Sequence, residues 1–294
     1  MPLDTRGEPS PRVSIPMPAY IGRFAPTPSG PLHFGSLVAA LASYLDAKHH
    51  NGRWLVRIDD IDPPREVPGA ADTILRQLEA HGLTWDGEVL YQSARNDAYR
   101  AALDKMDTYS CDCSRQAIKV MGGRYNGHCR QRQLPPPADY ALRVKVAQPT
   151  EIVFDDRIQG PQRWPVKTNG NDDFIVWRRD GLVSYQLACA VDDLYQGITH
   201  VVRGQDLLDS TPKQLYLMQQ LATGKAMPNY AHIKLVMGED GQKLSKQNLS
   251  PAIEKDEAAE NLYRALCHLG LQPPEEYQSA PVEALIQWGV ANWS

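Results

Sequence analysis

The chain has 294 residues, 42% of them apolar and 22% charged, a composition that gives room for two compact units and excludes disordered, collagen-like and disulfide-scaffold classes. Lys plus Arg number 31 against 35 Asp plus Glu, a net charge of -4, so no overall basic field advertises nucleic acid. The longest apolar stretch, near Leu37 to Ala42, falls far short of the ~18 residues that span a bilayer, and residues 1–19 form a proline-studded leader without a signal-like apolar run, which predicts a cytoplasmic protein with no membrane partner.

Tyr20 to Ala25 predicts a first strand, followed by the turn-rich run Pro26-Thr27-Pro28-Ser29-Gly30-Pro31. A helix follows, with Ser36 as its cap and Leu37, Leu41 and Leu45 on one face. Trp54, Val56 and Ile58 alternate in a second strand that ends in Asp59-Asp60-Ile61-Asp62. Pro68 opens another helix with Ala71, Ile74, Leu75 and Leu78 inward, stopped at Gly82. Strand, helix, strand, helix predicts an α/β fold with a Rossmann-like, doubly wound parallel sheet, because parallel neighbours need crossovers of this length.

Residues 108–172 break the rhythm and read as an inserted subdomain. From Ser114 to Gln148 the cations Arg115, Lys119, Arg124, Arg130, Arg132, Arg143 and Lys145 face a single anion, Asp139, a local excess suited to a polyanion. Five cysteines, an odd number, argue against a disulfide framework. Cys111, Cys113 and Cys129 offer three soft ligands, and tetrahedral zinc needs a fourth, for which Tyr125 and His128 are the candidates. His128 is the first choice on chemistry, but it adjoins Cys129, and neighbours on an extended chain point to opposite sides. Cys189 and Cys267 lie in apolar periodic segments and are expected in the core.

Alternation returns at Phe174 to Trp177 and at Thr199 to Val202, the latter running into Arg203-Gly204-Gln205-Asp206, and the parallel sheet is expected to resume there. Thr211-Pro212 starts a helix with Leu215, Met218 and Ala222 inward and Gly224 beyond its end. Ala231, Ile233, Leu235 and Met237 alternate once more, and Asp240-Gly241 turns the chain into Lys243-Leu244-Ser245-Lys246-Gln247. The 44 residues after Ser250 contain one clear helix, on Ala259, Leu262, Leu266 and Leu269. Residues 20–107 and 173–250 are thus expected to be two halves of one Rossmann-like domain, with residues 251–294 as a helical tail.

In a doubly wound sheet, ligands sit beyond the carboxyl ends of the strands, where the first strand-to-helix loop offers backbone N–H groups and a positive helix end. Leu32-His33-Phe34-Gly35-Ser36 occupies that loop, with Gly30 and Gly35 permitting close approach and His33 able to donate to a phosphate oxygen. The order of strand one, the His-x-Gly loop, an insertion and a late Lys-x-Ser-Lys loop resembles the class I aminoacyl-tRNA synthetases. Arg23-Phe24-Ala25-Pro26-Thr27-Pro28-Ser29-Gly30 with Leu32-His33-Phe34-Gly35 is similar to the first signature of the glutamyl branch, as are Val202 to Asp206 and Thr211 to Gln214, and Lys243 to Gln247 is similar to the KMSKS loop. The resemblance covers residues 20 to about 250. Arg57 to Glu66, together with the cysteine cluster, is similar to the glutamyl-Q tRNA(Asp) synthetases, which lack the large helical anticodon-binding region; the residues after Ser250 leave no room for one.

The resemblance implies a ligase that uses ATP with Mg²⁺ to make glutamyl-adenylate from L-glutamate and transfers glutamate to queuosine in the anticodon stem-loop of tRNA(Asp), sparing the terminal adenosine and needing no obligate protein partner. It implies catalytic roles for His33, Lys243 and Lys246, and ATP binding by His33, Gly35, Ser36 and Lys246. Glutamate would be held by Arg23, Phe24, Ala25, Pro26, Thr27, Asp59, Tyr185 and Arg203, with Asp59, where most members carry glutamate, directed at the α-amino group. The family pattern C-x-C-x(11)-Y-x(3)-C matches Cys111, Cys113, Tyr125 and Cys129 and implies one structural zinc per chain. A truncated glutamyl-tRNA synthetase charging a tRNA 3′ end is the nearest alternative; a small-molecule nucleotidyltransferase would use the same loop without a glutamate pocket.

Overall fold

A computed structural model describes residues 20–132, 134, 140–147, 151–166, 172–238 and 251–294. The chain opens with β1 (Ile21–Phe24), α1 (Phe34–His49), β2 (Arg53–Ile58), α2 (Ala70–Ala80) and the short β3 (Leu90–Tyr91). β1 runs parallel to β2, and β2 parallel to β3, as the alternation of strand and helix predicts. The helix N-cap is His33 and not Ser36: residue 33 is extended, its side chain accepts the Ser36 N–H, and Ser36 already lies inside the first turn. α1 buries Leu37, Val38, Leu41, Leu45 and Ala47 on nearly every side, the mark of a helix covered by protein on both faces.

A second parallel block contains β9 (His200–Gly204), β10 (Asn229–Ile233) and β6 (Glu151–Asp156), with β7 (Gly160–Pro165) antiparallel at its edge. The helices α5 (Tyr185–Tyr195) and α6 (Thr211–Leu221) belong to this half. β9 abuts β1, where the Thr199 N–H donates to the Ile21 carbonyl at 2.9 Å and the Ile21 N–H to Thr199 Oγ1 at 2.8 Å. Strand order therefore runs outward from β1 to β3 on one side and from β9 to β6 on the other. The crevice at this reversal is where α/β sheets bind ligands.

The third sheet, antiparallel, consists of β4 (Thr108–Cys111), β5 (Ala141–Val144) and β8 (Phe174–Trp177). Phe174 to Trp177 is thus a strand, as its alternation predicts, but pairs with β5 instead of resuming the parallel sheet. Conversely β6, from the segment that breaks the rhythm, joins the parallel block through β10. A period of two identifies a strand without naming its neighbour.

The C-terminal segment forms two helices, α7 (Ala258–His268) and α8 (Val282–Asn292), where one is legible. α8 escapes notice because Leu285, Ile286, Trp288 and Val290 give little polar contrast. Both helices complete the core beside α1, with Leu262, Leu266 and Leu285 fully buried. Gly289 makes the close approach possible, since a Cβ there would lie 2.9 Å from Leu266 Cδ2 and 3.0 Å from Leu45 Cδ2. Cys189 is buried as expected, but Cys267 is exposed, because α7 turns Ala258, Leu262, Ala265 and Leu266 inward and leaves position 267 off that face.

One buried amide joins the loop before α1 to the segment ahead of α7. The Leu32 N–H donates to Gln77 Oε1 at 2.7 Å, Gln77 Nε2 donates to the Ile253 carbonyl at 2.8 Å, and the Ile253 N–H donates to the Leu32 carbonyl at 3.0 Å. Gln77→Leu strands a buried donor and a buried acceptor, so it is expected to lower stability by about 2–4 kcal/mol in urea unfolding. An unchanged midpoint would show that water repairs both groups.

Candidate active site

A cavity of about 220 Å³ opens at the carboxyl ends of β1, β9 and β10. Its walls are Arg23, Phe24 and Ala25 at the end of β1; His33, Gly35 and Ser36 at the start of α1; Tyr185 of α5; Arg203 and Gly204 of β9; and the chain that follows β10. Eight of the residues singled out in the sequence therefore share one pocket. Thr27 and Asp59 line a smaller neighbouring cavity, and Tyr185 is common to both. Pro26 is tied to this second wall, its carbonyl accepting the Asp59 N–H at 2.9 Å. Lys243 and Lys246 lie outside the described residues.

Beneath the pocket, four buried charges neutralise one another. Arg23 donates through Nε and Nη2 to Asp193 at 3.2 and 3.3 Å. Arg57 donates to the same carboxylate at 2.6 Å and through Nε to Asp59 at 2.8 Å. Burial alone would raise the Asp193 carboxyl, but the two guanidinium charges outweigh it and hold the group below the usual carboxylate range. Asp59 ends the other way: burial raises it and the Arg57 contact offsets only part of that. The Cys189 thiol, 3.4 Å from Arg57, is pushed up to about 12, chiefly by burial, and stays protonated.

Arg203 differs from this pair. Its guanidinium is buried and donates to Gln214 Oε1 at 2.9 Å, Thr211 Oγ1 at 2.7 Å, the Leu207 carbonyl at 3.3 Å and His232 Nε2 at 3.0 Å. None of these acceptors is a carboxylate, so the positive charge on the pocket wall is hydrogen-bonded without being cancelled by contact. Such a wall favours an anion, to which the one uncommitted Nη1 N–H can donate.

His33 both caps and faces the cavity. Its Nδ1 accepts the Ser36 N–H at 3.3 Å, which leaves the ring proton on Nε2, 3.0 Å from Ser36 Oγ. An N–H donor thus stands at the entrance to a 16-residue helix, where the backbone dipole adds partial positive charge. The arrangement can hold an anionic phosphate next to a carboxylate.

Cys111, Cys113 and Cys129 come together with their Sγ atoms within 4.8 Å of one another, and Cys113 and Cys129 are 3.6 Å apart. Two thiolates on one tetrahedral zinc at ~2.3 Å each stand about 3.8 Å apart, so the donor set fits that ion. The Tyr125 hydroxyl accepts the Cys129 N–H at 2.8 Å, which sets it beside the cluster. Arg143 Nε lies 3.2 Å from Cys111 Sγ. Burial opposes ionisation of Cys111, but the contact with Arg143 prevails and lowers its thiol, whereas burial raises the thiols of Cys113 and Cys129.

The basic run in this region is largely paired with acidic side chains, mostly at the surface. Arg124 pairs with Asp172, Arg130 with Asp173 at 2.6 Å, Arg132 with Asp112 at 2.9 Å and Lys145 with Asp107 at 2.8 Å. Arg143 is buried over the Tyr125 ring. Arg115 and Lys119, on the short helix α4 (Arg115–Val120), have no acidic partner among the described residues.

Sequence reasoning missed Asp193, His232 and Asp156, and placed Arg57 and Gln214 in family-like motifs without giving either a role. A charged residue inside a strand otherwise buried, as Arg57 is, and an acidic pair inside the apolar helix Leu187 to Leu194 are signals for such groups.

Comparison with known proteins agrees with this geometry. The family model for the catalytic domain of class I tRNA synthetases (E and Q) matches residues 21–288. The glutamyl-Q tRNA(Asp) synthetase of Idiomarina loihiensis is 52% identical over 278 residues, covering 93% of this chain and 96% of the relative. That of Escherichia coli is 50% identical over 278 residues, covering 93% and 89% respectively. Among solved structures, a glutamate-tRNA synthetase from Elizabethkingia anophelis superposes with a TM-score of 0.75 at 26% identity, over 92% of this chain and 65% of its own. A glutamate tRNA ligase from Elizabethkingia meningosepticum, solved with its amino acid, gives 0.67 at 30% identity, over 78% and 52%. No helix among the described residues is long and apolar enough to cross a membrane.

Proposed function

Because the chain belongs to the class I tRNA synthetases of the glutamate and glutamine type, and within them to the glutamyl-Q tRNA(Asp) synthetases, we propose that this ligase forms glutamyl-adenylate and transfers the glutamate to queuosine in the anticodon of tRNA(Asp). The observation that carries the first half is the Arg203 guanidinium, bound to neutral acceptors and sharing a pocket with the His33 loop. The second half rests on the relatives' names.

The side-chain carboxylate of glutamate pairs with Arg203 on one wall, with Arg23, Phe24, Ala25, Pro26 and Thr27 forming the adjoining surface. Tyr185 separates this wall from Asp59, whose carboxylate is directed at the α-amino group. An oxygen of the α-carboxylate then attacks the α-phosphorus of ATP; the new P–O bond forms as the bond to the β-phosphate oxygen breaks, and pyrophosphate leaves. His33 Nε2–H and the N–H groups at Gly35 and Ser36 stabilise charge growing on the phosphate, and Lys243 and Lys246 hold the departing phosphates. Class I synthetases use ATP with Mg²⁺, which screens the phosphate charges. In the second step a hydroxyl of queuosine attacks the activated carbonyl, an ester bond replaces the mixed anhydride, AMP leaves, and the hydroxyl proton passes to solvent. The cations Arg115 and Lys119 meet tRNA phosphates, so binding weakens steeply with added salt.

The test follows labelled glutamate onto tRNA(Asp) with and without queuosine, and onto tRNA(Glu), each with its terminal adenosine present or removed. Transfer that survives removal of the adenosine and requires queuosine is expected. Charging of tRNA(Glu) that the removal blocks would make this a truncated glutamyl-tRNA synthetase instead.

Cys111, Cys113, Tyr125 and Cys129 are the proposed zinc ligands, and four protein ligands make the metal structural. One zinc per chain is expected in protein purified without chelator. Cys113→Ser is expected to lose the metal and to harm transfer to tRNA more than glutamate activation. Equal loss of both would assign the metal to the glutamate-activating core.

A further inference from the structure

We propose that Asp156 and His232 are positioning residues for Arg203, fixing the direction in which its guanidinium meets the substrate carboxylate; the inference rests on the reading of Arg203 given above. The three residues lie on adjacent strands, Asp156 at the end of β6, His232 on β10 and Arg203 on β9, with His232 directly opposite Arg203 in the sheet register. All are buried, His232 completely.

Each link has one possible direction. Arginine only donates, so the His232 Nε2 that lies 3.0 Å from Arg203 Nε must carry no proton. Thr211 Oγ1 accepts from Arg203 Nη2 at 2.7 Å and lies 3.1 Å from the same Nε2, so its own proton also points at the imidazole. The ring proton is therefore on Nδ1, 2.5 Å from Asp156 Oδ2. Asp156 in turn can only accept: its Oδ1 receives the N–H groups of Ile158, Gln159 and His232 at 3.0, 2.8 and 3.2 Å. Burial, with the Arg203 charge adding to it, pushes His232 down to about 4, consistent with a neutral ring that accepts from Arg203. A carboxylate thus selects a tautomer, and the tautomer presents a lone pair that aims a guanidinium. Because Asp156 stands at the turn of the β6–β7 hairpin, the edge of the sheet is wired to the pocket wall.

Asp156→Asn tests the direction of the relay. Asparagine keeps the shape but must turn an NH₂ group either toward His232 Nδ1, which sends the ring proton to the side facing Arg203, or toward the three backbone N–H groups. Glutamate-dependent ATP–pyrophosphate exchange is expected to show KM for glutamate raised about tenfold, the size of one lost hydrogen bond to a charged group, with KM for ATP little changed. His232→Gln, whose Oε1 can replace Nε2 as acceptor, is expected to retain tighter glutamate binding than His232→Leu, and this comparison stands if Asp156→Asn does not fold. Nitrogen-15 NMR of the wild-type protein should show His232 neutral with its proton on Nδ1. Arg203→Ala run alongside separates the two claims. If it raises the glutamate KM while Asp156→Asn and His232→Leu do not, the relay is overturned and the pocket assignment stands. If Arg203→Ala itself leaves the glutamate KM unchanged, the pocket assignment fails and the relay with it.

Discussion

Arg203→Ala is expected to lower kcat/KM for glutamate in ATP–pyrophosphate exchange by about 10²-fold, the scale of losing one charge-assisted hydrogen bond to a carboxylate, since the other four guanidinium N–H groups are held inside the protein. Its acceptors Gln214, Thr211, Leu207 and His232 are neutral groups, so its removal strands no buried charge, and folding should suffer less than activity. Arg23→Ala should behave differently. Arg23 is committed to Asp193, and removing it leaves a buried carboxylate with only Arg57 to balance it. Breaking a buried ion pair costs about 3 kcal/mol or more, so Arg23→Ala should lose stability in denaturant unfolding as well as activity. If Arg203→Ala exchanges glutamate normally, the specificity pocket is elsewhere; if Arg23→Ala unfolds at the wild-type denaturant concentration, the Asp193 pairing is unimportant to the fold.

The second large effect concerns the imidazole at the start of α1. His33→Ala is expected to slow exchange by about 10²-fold, as other lost donors to transition-state charge do. Because His33 is also the N-cap of α1, a slow alanine variant alone would leave two explanations. His33→Asn separates them, since asparagine is a good N-cap and its side-chain oxygen can take the Ser36 N–H. The asparagine variant should unfold like wild type yet remain about 10²-fold slow, with glutamate KM nearly unchanged. Wild-type rates in His33→Asn would reduce the ring to a cap. Lys246→Ala is expected to slow the same step to a similar degree, through the departing phosphates.

Much of the site was legible because its elements announce themselves locally. The Leu37, Leu41 and Leu45 spacing marks α1, the proline-rich run before it marks the loop, and Cys111, Cys113 and Cys129 mark the sulfur cluster without any knowledge of distant chain. The expectation that Arg203 and His33 belong to one site came from the resemblance of both loops to one family, and both residues line the same cavity.

What stayed hidden depends on partners far apart in sequence. Arg23 and Asp193 are 170 residues apart, and nothing in either neighbourhood says that one carboxylate absorbs two guanidinium charges while Arg203 keeps its own. The same holds for strands: alternation gives the period of Phe174 to Trp177 but not β5 as its partner, and the surface cations of residues 114–148 read as free until Asp107, Asp112, Asp172 and Asp173 are found beside them. Sequence by itself determined the clearly periodic segments, among them β1, α1, β2, α2, β9, α6, β10 and α7, but not α8 or the strands between residues 108 and 166, because backbone period and turn chemistry act over a few residues. Only the tertiary structure decided which charges are cancelled and which remain to bind a substrate, because Coulomb interactions and desolvation depend on distance and burial in space, and those are set only once the whole chain has packed.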